Sequence, residues 1–327
     1  MSQNSLPKRI ASLPKAELHV HLEGSIRPQV AVKLAARHHV QLTEAEVHRR
    51  YSYTDFASFL DAFKSITSFL LDPGDFALVA EDLAEQLLEQ QVVYAEVTLS
   101  VGVMFLRKQR PEANFEAILR AAEPFEKRGL RLNWIFDAVR QFGAEAAMRV
   151  VEAARGCKSE RIVAFGIGGD ELSLPTVAFQ RAYQRAAEHG LHRLIHAGEI
   201  GGPEKIREAV ELLGVERIGH GIAAIHDDEL MELLAEKEIP LEICLGSNLR
   251  TGALGLQRKK KDVRMDEHPL PELMRKGVPV TLSTDDPAMF HTSLETEYQA
   301  AHAMGLTEEE LESLVENSFR HAFARVR

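Results

Sequence analysis

The sequence predicts an α/β protein, a (β/α)8 TIM barrel with a helical insertion after the first strand. Three observations carry this prediction. Eight short apolar runs recur along the 327 residues, and amphipathic helical patterns separate most of them. The turn after the first run is His-Leu-Glu-Gly-Ser and not the Gly-rich turn that opens a doubly wound nucleotide-binding fold. A barrel of this type closes with eight parallel strands that alternate with helices.

The apolar runs are predicted as parallel strands because many of them are apolar on both faces, as expected of strands covered by helices. In chain order they are Ala16–Leu22, Val92–Leu99, Leu132–Val139, Ile162–Ile167, Arg193–His196, Arg217–His220, Pro240–Leu245 and Val278–Ser283. In a barrel of this type the functional residues are expected at the carboxyl ends of the strands.

Several helices are predicted between these strands. Phe76–Leu88 places its apolar residues on one face at helical spacing, and shorter patterns of the same kind follow later in the chain. They are Glu204–Leu213, Glu229–Ala235 and Leu273–Lys276. Gly214 and Gly277 follow two of these patterns as C-terminal stops, and Thr307–Glu310 forms a capping box that opens a final helix.

The interval between Leu22 and Val92 is too long for a single crossover helix. It contains the helical pattern Pro28–His38 and the Phe-rich segment Thr54–Leu71. We therefore expect a lid-like helical insertion over about residues 28–75 across one mouth of the barrel, within a single domain that spans residues 1–327.

The charge balance excludes several classes of function. Lys and Arg number 39 against 49 Asp and Glu, a net charge of −10, which disfavours nucleic acid or an anionic membrane as a partner. No apolar stretch approaches the ~20 residues that cross a bilayer, and the polar Met1–Arg9 has no signal-peptide pattern. With only two cysteines, the expected location is the reducing cytoplasm. The sequence does not predict an oligomeric state.

Polar residues stand at the ends of four predicted strands, where an apolar core would not select them. His19, His21 and Glu23 alternate at the end of the first strand, so they are predicted to share one face. Three further clusters are His196–Glu199, Gly219–Gly221 and Ser283–Pro287. An isolated pair of histidines is more simply a hydrogen-bonded polar pocket, but polar groups at four strand ends would each need a separate partner. The set therefore predicts a metal site.

The predicted site suits one metal ion. Imidazole and carboxylate ligands without thiolate favour Zn²⁺, with Fe²⁺ and Mn²⁺ as alternatives. A second ion in such a barrel requires a bridging ligand near the fourth strand, and Ile162–Glu171 contains neither lysine nor histidine.

Six motifs occur in an order that spans nearly the whole chain. They are Lys15–Ser25, Gly169–Glu171, His196–Glu199, Arg217–Gly221, Cys244–Asn248 and Ser283–Pro287. In this order they resemble the adenosine deaminase family of the amidohydrolase superfamily. A His-x-His pair alone is a weak signal, whereas the ordered set is highly specific.

The resemblance implies the zinc-dependent hydrolytic deamination of a 6-aminopurine nucleoside to the 6-oxopurine and ammonia. The implied ligands of the single Zn²⁺ are His19, His21, His196 and Asp285. Glu199 would protonate N1 of the purine while hydroxide attacks C6, and His220 would act as a base or as an electrostatic orienter of that hydroxide.

The resemblance also implies contacts with the substrate. Asp286 would contact N7 of the purine, and the backbone N–H of Gly169 would contact N3. Glu23 would face the 5′ end of the ribose. The helical stripe that includes Phe59 and Phe63 is interpreted both as core packing and as a hydrophobic lid over the nucleoside, for different members of the stripe.

Three departures from the family pattern concern the substrate. Glu23 stands where adenosine deaminases carry Asp, Thr98 and Val101 replace Arg and Pro, and Leu245 follows Cys244 where Pro is common. A related branch of the family deaminates 6-amino-6-deoxyfutalosine, an adenosine whose 5′ end carries a benzoate-bearing extension. Gly168–Glu171 and the loop Thr98–Met104 look compatible with that branch.

A substrate of that kind needs a cation for its carboxylate. Arg27 and Arg107 are the candidates, although each is more simply interpreted as a surface residue. The alternatives left open are a deaminase of adenine or another aminopurine, a lactonase or phosphotriesterase with a second metal, and a nucleoside-binding protein without activity.

Overall fold

A computed structural model describes residues 6–53 and 55–324 of the chain. The prediction for Met1–Arg9 rests partly on residues 1–5, and the predicted Phe-rich segment begins with Thr54; these positions lie outside the described residues. None of the described helices is both long enough and apolar enough to cross a bilayer.

Eight parallel strands pair in chain order, so the predicted TIM barrel is confirmed. The strands are β1 (Lys15–His21), β2 (Val92–Leu99), β3 (Arg131–Val139), β4 (Ile162–Gly168), β5 (His192–Ala197), β6 (Arg217–His220), β7 (Leu241–Ile243) and β8 (Val280–Leu282). The first six strands agree with their predicted bounds to within about one residue, as expected of apolar runs buried on both faces.

Strands β7 and β8 are shorter than predicted. The runs predicted to begin at Pro240 and Val278 begin as strands only at Leu241 and Val280. Pro240 and Pro279 have no N–H to donate to a neighbouring strand, so each can only accept a hydrogen bond at the entry to its strand. At the other end, Cys244 already caps the helix that follows β7.

The barrel closes between β1 and the residues that follow β8. The N–H of His21 donates to the carbonyl of Asp285 at 2.8 Å, and the N–H of Asp285 donates to the carbonyl of His19 at 2.9 Å. Asp285 has a left-handed φ of 64°, which costs a non-glycine residue about 1–2 kcal/mol. The two closing hydrogen bonds offset this cost, and the backbone itself places Asp285 beside both histidines.

Among the described residues, sixteen α-helices cover the barrel. They are α1 (Lys8–Ser12), α2 (Pro28–Arg37), α3 (Glu44–Arg50), α4 (Phe56–Thr67), α5 (Pro73–Glu89), α6 (Val101–Leu106), α7 (Pro111–Glu126), α8 (Ala144–Gly156), α9 (Gln180–Glu188), α10 (Pro203–Glu208), α11 (Asp228–Glu236), α12 (Leu245–Arg250), α13 (Ala253–Arg258), α14 (Leu270–Arg275), α15 (Leu294–Ala303) and α16 (Glu308–Arg320).

The predicted helix signals are present in the structure, with one change. Thr307 and Glu310 form the capping box that opens α16. Gly214 and Gly277 have φ values of 61° and 78°, as C-terminal stops require. The predicted helix Glu204–Leu213 is α-helical only in its first part, because its last turn widens into a π-helical turn before Gly214.

Helices α2, α3 and α4 occupy the interval between β1 and β2 that the sequence assigns to an insertion. Helix α4 begins where the Asp55 side chain accepts the N–H of Ser58. It carries the Phe stripe, of which Phe59 is buried with its ring 5.0 Å from that of Phe290. The stripe therefore takes part in core packing.

A buried ion network closes the amino-terminal end of the barrel. Arg217 bridges two carboxylates, with 2.6 Å from its Nη2 to Glu96 Oε2 and 2.6 Å from its Nε to Glu242 Oε1. The ring of Phe323 covers the guanidinium, 3.7 Å from its Cζ, and Arg217 also donates to the carbonyl of His321 at 3.0 Å. The C-terminal segment thus caps the network and excludes water from it.

The network predicts a large stability effect for Arg217→Met. The substitution leaves the buried carboxylates of Glu96 and Glu242 without a cation, so the free energy of unfolding should fall by about 3–5 kcal/mol. Urea unfolding followed by circular dichroism measures this loss. Arg185→Met is the control, because the ion pairs of Arg185 with Glu152 and Glu188 lie at the surface. This variant should therefore unfold at the same urea concentration as the parent protein. Equal midpoints for both variants would contradict the prediction.

Candidate active site

A cavity of about 260 Å³ opens at the carboxyl ends of the strands. Most of the residues that the sequence assigns to a functional site line this one cavity. They are His21, Phe59, Phe63, Gly169, His196, Glu199, His220, Asp285 and Asp286. The strand ends therefore meet in space as the barrel geometry requires.

The imidazoles of β1 and β5 gather beside Asp285. The ring centroid of His19 lies 5.3 Å from that of His21 and 4.7 Å from that of His196. Asp285 Oδ1 lies 3.2 Å from His21 Nε2 and 3.4 Å from His19 Nε2. Neither Nε2 atom has a hydrogen-bond partner among the described residues, although both are buried. Buried polar atoms without partners are costly, so these fit a bound cation.

Two overlapping groups have ligand atoms within 4.8 Å of one another: His19 with His21 and Asp285, and His19 with His196 and His220. Together they contain all four ligands that the resemblance implies. His220 is close enough to belong to the second group as well, so distance alone does not separate it from the ligands.

Hydrogen bonds from behind orient two of these side chains. His19 Nδ1 lies 2.7 Å from Glu242 Oε2, and the hydroxyl of Ser247 donates to Asp285 Oδ2 at 2.7 Å. Because a carboxylate only accepts, His19 carries its proton on Nδ1 and directs the lone pair of Nε2 into the group. Glu242 is also the partner of Arg217, so the network at the bottom of the barrel reaches the site.

The electrostatic field at the group favours positive charge. Burial alone would lower the pKa of His19, but Asp285 and Glu242 outweigh it and raise that pKa to about 10. Burial opposes ionisation of Asp285, but its close contacts with the imidazoles of His19 and His21 hold its pKa well below the usual range. A divalent cation at this position would replace the excess protons as the positive charge that the carboxylates require.

Glu199 stands against the wall of the cavity with its carboxyl group shielded from water. Burial raises its pKa well above the usual range, and the negative charges of Asp285 and Glu171 add to the effect. Its Oε2 lies 3.6 Å from Nε2 of His220. A carboxyl group that is protonated near neutral pH is able to act as a general acid.

The loop that carries Glu199 is held by two polar side chains that the sequence analysis did not assign. Glu171 Oε2 accepts the N–H groups of Ile200 and Gly201 at 2.8 and 2.6 Å. The amide of Gln257 donates to the carbonyls of Glu199 and Gly201, both at 2.9 Å. The position of Glu199 is therefore fixed through its own backbone and that of the two residues near it.

Asp286 faces the same cavity as Asp285, but its pKa is shifted in the opposite direction. Burial, followed by the charge of Asp285, raises its pKa to about 8. Its Oδ1 has no hydrogen-bond partner among the described residues. A Cβ at Gly24 would lie 1.6 Å from that oxygen, so the glycine makes room for the carboxyl group of Asp286.

Gly169 occupies a turn that only glycine adopts without strain. Its φ is 92°, and a Cβ there would lie 2.5 Å from Oε1 of Gln141. The N–H of Asp170 donates to the same oxygen at 3.1 Å. The backbone of the turn is thus fixed against Gln141 where it lines the cavity.

Glu23 lies beyond the end of the first strand, so the structure removes the basis for predicting that it shares a face with His19 and His21. Strand β1 ends at His21, and Glu23 begins a 3-10 turn, where the alternation of strand side chains no longer applies. Its Oε1 accepts the N–H of Ser100 at 3.0 Å. It lines a smaller adjoining cavity instead of the main one.

Arg107 is not the surface residue that the simpler interpretation favoured, because its half-buried side chain lines both the main and the adjoining cavity. Its guanidinium donates to the carbonyl and the hydroxyl of Thr67. Burial lowers its pKa, and the charge of Glu23 opposes that effect. Arg27, in contrast, is paired with Asp82.

Asp137 is a buried carboxyl group in the cavity that the sequence analysis missed. It lies near the end of β3, and burial raises its pKa to about 7. A Cβ at Gly166 would lie 2.9 Å from its Oδ1, and one at Gly168 would lie 3.3 Å from its Oδ2. A single acidic residue within the apolar run Leu132–Val139 was the available signal.

Comparison with known proteins agrees with this geometry. The sequence model of a family described as adenosine deaminase matches residues 14–326. The chain is 39% identical to an aminodeoxyfutalosine deaminase of Streptomyces coelicolor over 96% of this chain and 81% of the relative. It is 33% identical to an adenine deaminase of Sinorhizobium medicae over 96% and 95% of the two chains.

A solved structure shares the fold. The crystal structure of an adenine deaminase from Arthrobacter aurescens superposes with a TM-score of 0.88 at 31% identity, covering 95% of this chain and 94% of that one.

The close approach of Gly24 to Asp286 predicts the effect of Gly24→Ala. The added methyl group must displace the whole Asp286 side chain, and a shift of about 1 Å in a functional group costs about 100-fold in kcat/KM. Steady-state deamination kinetics measure the loss. Gly156→Ala near the end of α8, where a Cβ meets no atom closer than 4.0 Å, should retain parental kinetics. Unchanged turnover in Gly24→Ala would show that Asp286 is not needed where it lies.

Proposed function

The chain belongs to the adenosine deaminase family, and we propose that it converts a 6-aminopurine nucleoside to the 6-oxopurine nucleoside and ammonia with one bound Zn²⁺. The observation that carries the proposal is the arrangement of three features around one cavity. They are the histidines grouped with Asp285, the Glu199 carboxyl group with its raised pKa, and the Asp286 carboxyl group that would meet the base. Membership of a family of aminohydrolases disfavours the lactonase and phosphotriesterase alternatives.

His19, His21, His196 and Asp285 would hold the metal. Imidazole and carboxylate donors without thiolate suit Zn²⁺, and the buried Nε2 atoms of His19 and His21 that lack partners fit that role. The bound ion would lower the pKa of a water molecule towards neutrality. Glu242, Ser247 and the backbone hydrogen bonds between β1 and Asp285 hold three of these residues in place, namely His19, His21 and Asp285.

Glu199 would donate its proton to N1 of the purine ring. Protonation at N1 makes C6 more electrophilic, so the oxygen of water would add to C6. One proton of that water would pass to N6, so that ammonia leaves when the C6–N6 bond breaks, and the other would return to the Glu199 carboxylate. A raised pKa is required for this step, since an ionised carboxylate has no proton to give. Glu171 and Gln257 serve the step by holding the loop of Glu199.

Asp286 and Gly169 would orient the base. N7 and N3 of a purine are both acceptors, so each requires a donor. A carboxyl group whose pKa is raised to about 8 offers an O–H to N7 at neutral pH. The turn at Gly169 brings the backbone close enough to the ring for an N–H to reach N3.

Phe59 and Phe63 on α4 would cover the nucleoside and exclude bulk water. Both line the cavity, and their rings are in contact at a centroid distance of 6.0 Å. We propose that helices α2 to α4 form the lid of the same domain as the barrel. Exclusion of water strengthens each of the electrostatic contacts inside the site.

The 5′ side of the substrate would carry a carboxylate that binds Arg107. The guanidinium has five N–H donors, and its contacts with Thr67 leave others free to meet an anion in the cavity. The relative with 39% identity is named an aminodeoxyfutalosine deaminase, which agrees with a 5′-extended adenosine of this kind. Adenine is the second candidate, since other relatives are named adenine deaminases, but it has no group for Arg107.

Metal content tests the first part of the proposal. A chelator should abolish deamination, and one equivalent of Zn²⁺ per chain should restore it. The Asp285→Asn variant should no longer bind this equivalent of Zn²⁺. Asp75→Asn is the control, because His38, Asp72 and Asp75 form another group with ligand spacing whose carboxylates already receive the guanidinium of Arg37. Two ions per chain, or activity that survives chelation, would contradict the proposal.

Arg107→Met tests the assignment of the substrate. Loss of a charge-assisted hydrogen bond costs about 1.5–3 kcal/mol, so KM for an adenosine with a 5′ carboxylate extension should rise about 10- to 100-fold. KM for adenosine itself should not change. Turnover of adenosine, adenine and the extended nucleoside by parent and variant measures both effects.

The matched control is Arg27→Met. The guanidinium of Arg27 is already paired with Asp82, so this substitution should not affect either KM. If Arg107→Met raised KM for adenosine and for the extended nucleoside equally, Arg107 would not be the anion site. A parent enzyme that strongly prefers adenine would rule out the nucleoside assignment.

A further inference from the structure

A chain of three buried polar side chains leads from the backbone of α14 to His220. The N–H of Leu270 donates to Nδ1 of His268 at 3.1 Å. Nε2 of His268 lies 3.2 Å from Oδ1 of Asn248, and Nδ2 of Asn248 lies 3.1 Å from Nδ1 of His220. The side chains of His268, Asn248 and His220 are each at most 2% exposed, so water does not compete for these contacts.

The first link fixes the direction of all the others. A backbone N–H can only donate, so Nδ1 of His268 must be the acceptor and the proton of its neutral ring must be on Nε2. Burial, together with the charge of Arg258, lowers the pKa of His268 to about 3, which keeps the ring neutral. Nε2–H of His268 then requires an acceptor, which is the oxygen of the Asn248 amide.

The amide of Asn248 passes this direction on to His220. With its oxygen facing His268, its NH₂ group faces Nδ1 of His220 and donates to it. Reversing the amide would set two donors against each other at His268. Nδ1 of His220 is therefore an acceptor, and its neutral ring carries the proton on Nε2. That atom faces Oε2 of Glu199 at 3.6 Å and Oδ2 of Asp285 at 3.8 Å.

We propose that Asn248 and His268 are positioning residues that fix His220 as the Nε2–H tautomer, so that His220 presents a hydrogen-bond donor to the reacting oxygen. The inference rests on the proposed deamination for its catalytic meaning. It chooses between the two roles that the sequence leaves open for His220, because a ring nitrogen that carries a proton orients an oxygen but does not take a proton from it.

The same inference separates His220 from the metal ligands. A metal binds a lone pair, and Nε2 of His220 has none while it carries the proton. His19 has the opposite arrangement, because the carboxylate of Glu242 behind it only accepts and leaves Nε2 of His19 free to coordinate. The type of group behind each imidazole, an acceptor for His19 and a donor for His220, therefore assigns its function.

Nitrogen-15 NMR of the full-length protein tests the tautomer directly. Histidine labelled in the ring, with His220 assigned by loss of its signals in His220→Gln, should show a protonated Nε2 and an unprotonated Nδ1, in both metal-free and Zn²⁺-loaded protein. A protonated Nδ1 of His220 would overturn the proposal. This result does not depend on turnover, so failure of the proposed deamination and failure of this inference are distinguishable.

Asn248→Asp provides the matched perturbation, since it keeps the size of the side chain and replaces the donor by an acceptor. Nδ1 of His220 should become protonated, and kcat should fall about 100-fold or more while KM changes little, as for loss of a donor to a developing oxyanion. Asn114→Asp, at a buried amide on α7, is the control and should alter neither. Parental kcat in Asn248→Asp, together with a switched tautomer, would overturn the catalytic role.

Discussion

The closure of the barrel at Asp285 is the constraint on which the site depends. Two backbone hydrogen bonds join Asp285 to His19 and His21, so the seam of the sheet and the cation-binding group are formed by the same residues. Asp285 takes a left-handed conformation at the point where its backbone completes the ladder. Any change that opens the seam would separate the carboxylate from both imidazoles, which explains why strain is tolerated at this position.

Buried charge links the two ends of the barrel. Glu242 directs one oxygen to Arg217 at the closed end and the other to His19 at the open end. A buried carboxylate in such a position is stable only because it has a partner at each oxygen, a guanidinium at one and an imidazole at the other. The C-terminal segment, through Phe323 over Arg217, is thereby connected to the orientation of an imidazole at the opposite end of the sheet.

The chemistry of the site follows from carboxyl groups held in different protonation states. Contacts with two histidines lower the pKa of Asp285, whereas burial raises the pKa of Glu199 and that of Asp286. Groups of one chemical type can therefore bind a cation, donate a proton and bind a purine nitrogen within one cavity. The protein achieves this with position and burial, since the side chains themselves do not differ in kind.

The sequence by itself determined the eight strands, the caps of helices such as α16, and the placement of histidines and acids at the strand ends. These features are set by local periodicity and by short-range hydrogen bonds, which one stretch of chain carries alone. Only the tertiary structure decided that Glu23 leaves the main cavity, that Arg107 enters it, and which nitrogen of His220 carries a proton. Each of these depends on where a strand ends or on a contact between distant residues, and such contacts exist only once the barrel has closed.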